Sequence, residues 1–216
     1  MSPTQPWTIL VPVKETHLAK SRLTEFEPAD RTALALAFAL DTLSAALACR
    51  SVATAVAVTN DAAVRTAARR LGAEVLPDVP AAGLNPALAA AASTVRAEGR
   101  ARVAALSSDL PALTAETLSI VLDDPPAEYW FVADGRGDGT TMLGASGAIP
   151  LRPRFGPHSS AAHASNGALA VGRAGLERLR QDVDTEADLT AALRLGVGTC
   201  TARALAEMRA ALPRPQ

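Results

Sequence analysis

The sequence predicts an α/β fold built on a mostly parallel sheet, and three observations carry that expectation. Short, continuously apolar segments rich in β-branched residues alternate with longer stretches of helical period. Continuous apolarity implies cover on both faces of each strand, as in a sheet with helices packed on either side. The hydrophobic content of 49% comes mainly from Ala, Leu and Val, with only 3% aromatic residues, which suits close packing of helices on a sheet.

The first strand is WTILVPV at 7–13, followed by a helical pattern over about 29–49. VATAVAVT at 52–59 is the next strand, and Asp61 is placed to cap a helix over about 61–71. A helix over about 84–98 leads to the strand RVAALSSD at 102–109, and Thr114 is placed to cap a helix over about 114–123. YWFVAD at 129–134 follows. Strand, helix and strand repeated in this way give right-handed βαβ units. After Asp134 the alternation breaks: GRGDGTTMLGAS reads as a glycine-rich turn and a short strand with no helix between, so an antiparallel strand is expected. A helix-rich portion over about 173–210 closes the chain, and the tail PRPQ is expected to fray. With no repeat and no low-complexity linker, residues 1–216 are expected to form a single domain. Ligands of such sheets bind at the carboxyl ends of the strands, here the loops after 13, 59, 76, 109 and 134.

Composition narrows the function. The net charge is −1 and no basic block is present, so no nucleic-acid partner is expected. Cys49 and Cys200 lie far apart without CxxC spacing, which reads as reduced, buried thiols. The N-terminus lacks a positive region ahead of an apolar one, and the longest apolar run, Ala33 to Leu40, falls short of the roughly 20 residues of a membrane span. A cytoplasmic protein with no membrane partner is expected.

The loop after the first strand reads Lys14-Glu-Thr-His-Leu-Ala-Lys20-Ser-Arg22. Lys14 and Lys20 are the only lysines among 21 basic residues, and both stand in this loop. Lysine and arginine differ at phosphate sites, and a compact ammonium suits a phosphoryl group that changes geometry during reaction. The loop is neither a GxxxxGK[ST] nor a GxGxxG motif. The strand over 102–109 ends in Ser-Ser-Asp109-Leu-Pro, where a carboxylate can hold Mg²⁺ or simply cap a turn. Asp182-Val-Asp184-Thr185 precedes a helix; Thr185 or Asp184 can cap it, and a surface role for Asp182 stands beside a metal role. Phe155-Gly156-Pro157-His158-Ser159-Ser160 lies where a helix begins, a place that favours an anion or ordinary capping. His163 reads equally as part of this segment's site or as a packing histidine, and no proton-transfer role is assigned to it.

Taken together, VPVKETHLAKSRL, GLNPAL, SSDLPAL, DGRGDGTT, FGPHSSAAH and DVDTEADL resemble the guanylyltransferases of deazaflavin coenzyme F-420 synthesis, which act on 2-phospho-L-lactate or phosphoenolpyruvate. The resemblance spans about residues 7–195 with the motifs in order. It implies a Rossmann-like mixed, mostly parallel sheet of the glycosyltransferase-A nucleotidyltransferase type. It also implies that Lys14, Lys20 and Arg22 meet the phosphates of GTP as catalytic groups, with Gly83, Leu84 and Asn85 near the nucleoside. Asp109 and Asp184, with Asp182, resemble the Mg²⁺ ligands, Asp109 also serving the nucleotide. Thr140, Thr141, Gly156 and Ser159 would cradle the acceptor. The sequence departs from the pattern in Glu186, where relatives often carry Pro, a difference expected to touch only helix initiation. It departs again in Asp138, a negative charge near an anionic acceptor.

The reaction so implied is in-line attack by an acceptor phosphate oxygen on the α-phosphorus of GTP, which needs no general base because the nucleophile is already ionised. The acceptor, phosphoenolpyruvate or 2-phospho-L-lactate, stays open, although the arginine and alanine bias suggests a GC-rich bacterium, where the resemblance points to phosphoenolpyruvate. Competing readings are a molybdenum-cofactor or sugar-phosphate nucleotidyltransferase, whose first loop is glycine-rich, and a non-catalytic nucleotide-binding domain. Self-association into a homodimer is left open.

Overall fold

Trp7, Ile9, Leu10 and Val11 have no exposed surface, because the strand that carries them runs through the middle of a sheet covered on both faces. The computed structural model describes residues 5–14, 16, 20 and 22–211; the PRPQ tail lies outside the described residues. The elements in chain order are β1 (Trp7–Pro12), α1 (Pro28–Ala48), β2 (Val52–Val58), α2 (Ala62–Leu71), β3 (Glu74–Leu76), α3 (Leu84–Ala97), β4 (Val103–Leu106) and α4 (Ala115–Leu122). Then come β5 (Tyr129–Ala133), β6 (Thr140–Ala145), α5 (Ser159–Ser165), β7 (Leu169–Ala170), α6 (Glu177–Arg180), α7 (Glu186–Leu195) and α8 (Thr199–Ala211).

All seven strands form one sheet in the order β3-β2-β1-β4-β6-β5-β7. β1 is parallel to β2 and β4, and β2 to β3. β6 is the antiparallel strand the sequence predicts, wedged between β4 and β5, because the turn after β5 is too short for a crossover. Gly144 in β6 has no side chain to give: Trp130 of β5 lies where its Cβ would stand. Asp61 caps α2, accepting from the N–H groups of Ala63 and Val64 at 2.8 and 3.1 Å, and Thr114 caps α4 through the N–H of Thr117.

One face of the sheet is covered by α1, α2 and α4 through Leu43, Val64 and Leu118, and the other by α3 through Leu88, Ala91 and Val95. α1 is long and apolar enough by composition to cross a bilayer, yet Leu34, Phe38 and Leu43 are wholly buried inside the domain. Its Asp41 accepts from the N–H groups of Cys200 and Thr201 at 2.9 and 2.8 Å and so fastens α8. A third apolar cluster joins Leu23, Leu34, Phe38, Ala112, Val183 and Leu189. Its members flank the charged loops, so the apolar side chains pull those loops together at the carboxyl edge of the sheet.

Candidate active site

Thr16 and Lys20, among the described residues of the loop leaving β1, tie it to the body of the protein. The N–H and hydroxyl of Thr16 both donate to Asp61 Oδ2, at 3.0 and 2.9 Å, while Asp61 Oδ1 caps α2. Lys20 has a left-handed backbone, φ 59°, a conformation that non-glycine residues adopt at a cost of roughly 1–3 kcal/mol. Its side chain, 9% exposed, turns inward and Nζ donates to Asp109 Oδ2 at 2.6 Å and to Asp184 Oδ1 at 3.3 Å. Burial opposes this charge, but the two carboxylates outweigh it and hold the ammonium above the ordinary lysine pKa.

The acidic side comes from two distant stretches. Asp109 follows β4, and its carbonyl accepts the N–H of Val183 at 3.1 Å, which stitches the SSDLP turn directly to the DVDT turn. Thr185, not Asp184, caps α7, in a reciprocal pair with Asp188 that leaves the Asp184 carboxylate to face the loop. The Asp182 carboxyl is pushed up to about 7, first by burial and then by the negative charge of Asp109, Asp184 and Asp134. Among the described residues no three metal-type side chains stand close enough to grip an ion as they are. Asp109 and Asp184 do converge on one cationic nitrogen, and Asp182 feels the charge of both.

Lys14, Lys20, Leu84, Asp109, Phe155 and Asp184 all line one cavity of about 310 Å³. Arg22 stands at the rim, 72% exposed and 3.9 Å from Asp184. Gly83, φ 104°, begins α3 beside a second, adjoining cavity. Asn85 is spent structurally: its amide donates to the Phe155 carbonyl at 2.9 Å and accepts the Phe155 N–H at 2.7 Å, tying α3 to the FGPHSS loop. Gly156, φ 136°, and the buried Ser159 follow Phe155 in that loop. Thr140 and Thr141 are buried at the start of β6, outside the wall of the cavity that holds Lys20.

Two departures find a physical account. Asp138 Oδ1 lies 2.7 Å from His158 Nδ1, and the Asp138 carbonyl accepts the Ser160 N–H at 3.0 Å, so this residue clasps the glycine-rich loop to the FGPHSS loop. Glu186 does more than begin a helix, which corrects the expectation above: its Oε1 accepts the Glu25 N–H at 3.0 Å and fixes the far end of the lysine loop.

His163 is a packing histidine. Its Nε2 accepts the Arg154 N–H at 2.9 Å, which leaves the ring proton on Nδ1, 2.9 Å from Thr140 Oγ1. Burial, helped by the charge of Arg154, pushes its pKa from 6.5 down to about 4. A depressed folded-state pKa contributes stability that is present above pH 6.5 and is lost as the pH falls toward 4, about 3 kcal/mol in all. Urea unfolding across that window is expected to show the decline, and His163→Gln is expected to flatten it.

Sequence reading missed the second oxygen of Asp61. A cap engages one carboxylate oxygen; a second hydrogen-bonding residue across the loop was the signal, and Thr16 is 45 positions away. Asp61→Asn keeps the cap, since Asn is as good an N-cap, but turns an amide donor toward the Thr16 N–H. The substitution is expected to raise the KM for the nucleotide that the resemblance implies about tenfold, from loss of about one hydrogen bond to a charged group, with little change in Tm. Steady-state kinetics beside a thermal melt checks it; an unchanged KM would show that the loop does not rely on this tie.

A family model described as guanylyl transferase CofC-like matches residues 7–212. A phosphoenolpyruvate guanylyltransferase of Thermomonospora curvata is 47% identical over 210 residues, covering 96% of this chain and 92% of the relative. A protein of the same name from Salinispora arenicola is 47% identical over 92% of this chain and 93% of its own. A solved structure from Desulfovibrio desulfuricans, named for the nucleotide-diphospho-sugar transferases, has a TM-score of 0.70 over 94% of this chain and 95% of that one, at 18% identity, a likeness of fold alone. The sheet with its antiparallel β6, the carboxyl-edge cavity and these matches agree: the chain belongs to the CofC-like guanylyl transferase family.

Proposed function

We propose that this protein transfers GMP from GTP to phosphoenolpyruvate, releasing pyrophosphate, as a step of deazaflavin coenzyme F-420 assembly. The relatives' names support phosphoenolpyruvate over 2-phospho-L-lactate as the acceptor. The single observation that carries the reading is the Lys20 ammonium held between Asp109 and Asp184 in the wall of a cavity of about 310 Å³.

An acceptor phosphate oxygen attacks the α-phosphorus of GTP; a new P–O bond forms as the α–β anhydride bond breaks, and pyrophosphate leaves with the electron pair. Two polyanions must approach, so the main work of the protein is to neutralise charge. Lys14 and Lys20 meet the nucleotide phosphates, Arg22 adds charge at the rim, and Asp109 orients Lys20. Gly156 and Ser159, in the loop that Asp138 and Asn85 hold in place, serve the acceptor, and Thr140 and Thr141 back them from the start of β6. Mg²⁺ belongs to the proposal. Two carboxylates already converge on one positive charge, with Asp182 close enough to feel the charge of both; Asp109, Asp184 and Asp182 would hold the ion, which supplies further neutralisation of the phosphates. A cytoplasmic location goes with this reading, since α1 is spent inside the domain.

The test is pyrophosphate release with GTP and Mg²⁺ against phosphoenolpyruvate, 2-phospho-L-lactate and related phosphorylated acids. Release dependent on phosphoenolpyruvate supports the proposal; nucleotide binding without release at any acceptor overturns it. Binding of Mn²⁺ followed by electron paramagnetic resonance, in wild type and Asp184→Asn, tests the ion apart from turnover.

A further inference from the structure

A second cavity, of about 280 Å³, adjoins the first across the end of β1 and shares Pro12, Val13, Lys14 and Leu84 with it. Val58, Leu84 and Ala87 give it apolar walls, and Asp78 is among its lining residues. Apolar walls with a few placed polar groups are the usual surroundings of a bound planar ring. With Lys14 in the wall of both cavities, a base in the second sets its phosphates toward Lys20 in the first.

Asp78 is unusual in how it is held. Its N–H donates to Asn60 Oδ1 at 3.1 Å and its carbonyl accepts from Asn60 Nδ2 at 3.0 Å, so the main chain is clamped on both sides. Its side chain is not: Oδ1 is closed off from solvent and has no hydrogen-bond partner among the described residues. Nearly all buried polar atoms are paired, because desolvation without a bond is costly, and a positioned carboxylate with an unspent acceptor calls for a donor.

We infer that Asp78 reads the guanine base, accepting N1–H and N2–H of its Watson–Crick edge; the inference rests on the guanylyltransferase reading above. A carboxylate offers acceptors alone. Guanine is the one common base with two adjacent donors on that edge. Adenine sets one donor beside an acceptor, cytosine one donor beside two acceptors, and uracil its single N–H between two carbonyls, so each would bring an acceptor against the carboxylate. The terminal torsion of Asp is broad, so a partial turn of the carboxylate brings Oδ1 out beside Oδ2 to face the base at little cost. Discrimination by such hydrogen bonding is strong, because the wrong base leaves the buried group unpaired.

The experiment is equilibrium binding and turnover of GTP, ITP, XTP and ATP with wild type and Asp78→Asn. Wild type is expected to bind GTP at least about tenfold better than ITP, which lacks the 2-amino donor, and far better than ATP. Asp78→Asn is expected to lose roughly 10²-fold for GTP and to gain for XTP, since its amide N–H faces the 2-oxo group that replaces the amine. If Asp78→Asn does not fold, Asp78→Ser carries the test by abolishing the preference for GTP over ITP. Folded variants with unmoved GTP, ITP and XTP ratios overturn the inference, as does a lower Tm with those ratios intact, which would mark Oδ1 as the partner of a structural water. Binding is read without turnover, so an absence of pyrophosphate release sinks the transferase reading and leaves the base-reading test standing.

Discussion

Asp109→Asn is expected to slow pyrophosphate release by at least about 10³-fold while Tm stays within a few degrees of wild type. The substitution is isosteric, and the main-chain bond from the Val183 N–H to the Asp109 carbonyl survives it, so the two acidic turns stay joined. What disappears is the charge that holds Lys20 Nζ at 2.6 Å. An amide in that position either offers a weaker neutral acceptor or turns a donor toward the ammonium. The nucleotide then meets a lysine anchored by Asp184 alone, at 3.3 Å, and any divalent ion loses one anionic ligand. Activity near the wild-type level would remove Asp109 from the chemistry.

Lys20→Arg comes next in expected effect, with a loss of roughly 10²-fold in kcat/KM despite the conserved charge. The ammonium fits as a point donor between two carboxylates, on a side chain only 9% exposed. A planar guanidinium needs a wider space and presents a fixed fork, so it moves both aspartates or is expelled to the rim beside Arg22. Lys20→Met separates charge from volume: it leaves the neighbouring carboxylates uncompensated, and its Tm is expected to rise on adding Mg²⁺ more than that of wild type does. Kinetics with both variants and melts with and without the ion check the pair. If Lys20→Arg turns over normally, the geometry of the ammonium is irrelevant.

What the sequence made legible was local or periodic. The apolar run of β1, the caps at Asp61 and Thr114 and the break after Asp134 each depend on neighbours within a few positions, and each stands in the structure. The two residues of β7 were not legible, because they are a strand only through pairing with Trp130 and Phe131. The lysine loop and both acidic motifs stood out by composition, but their meeting did not, since Lys20 and Asp184 are 164 positions apart. Residues that work across loops stayed hidden for the same reason. Asp138 needs His158, Asn85 needs Phe155, and Asp78 has its backbone set by Asn60; no period links any of these pairs.

The apolar cluster of Leu23, Phe38, Ala112 and Val183 is also expected to set when, during synthesis, the protein becomes competent. A nascent chain that has emerged as far as α5 carries the lysines and Asp109 but lacks the DVDT turn and the side chains that seat it. Such a chain is expected to hold a partly built sheet while leaving its cationic loop unanchored, so competence arrives in one late step as the last quarter of the polypeptide docks on α1.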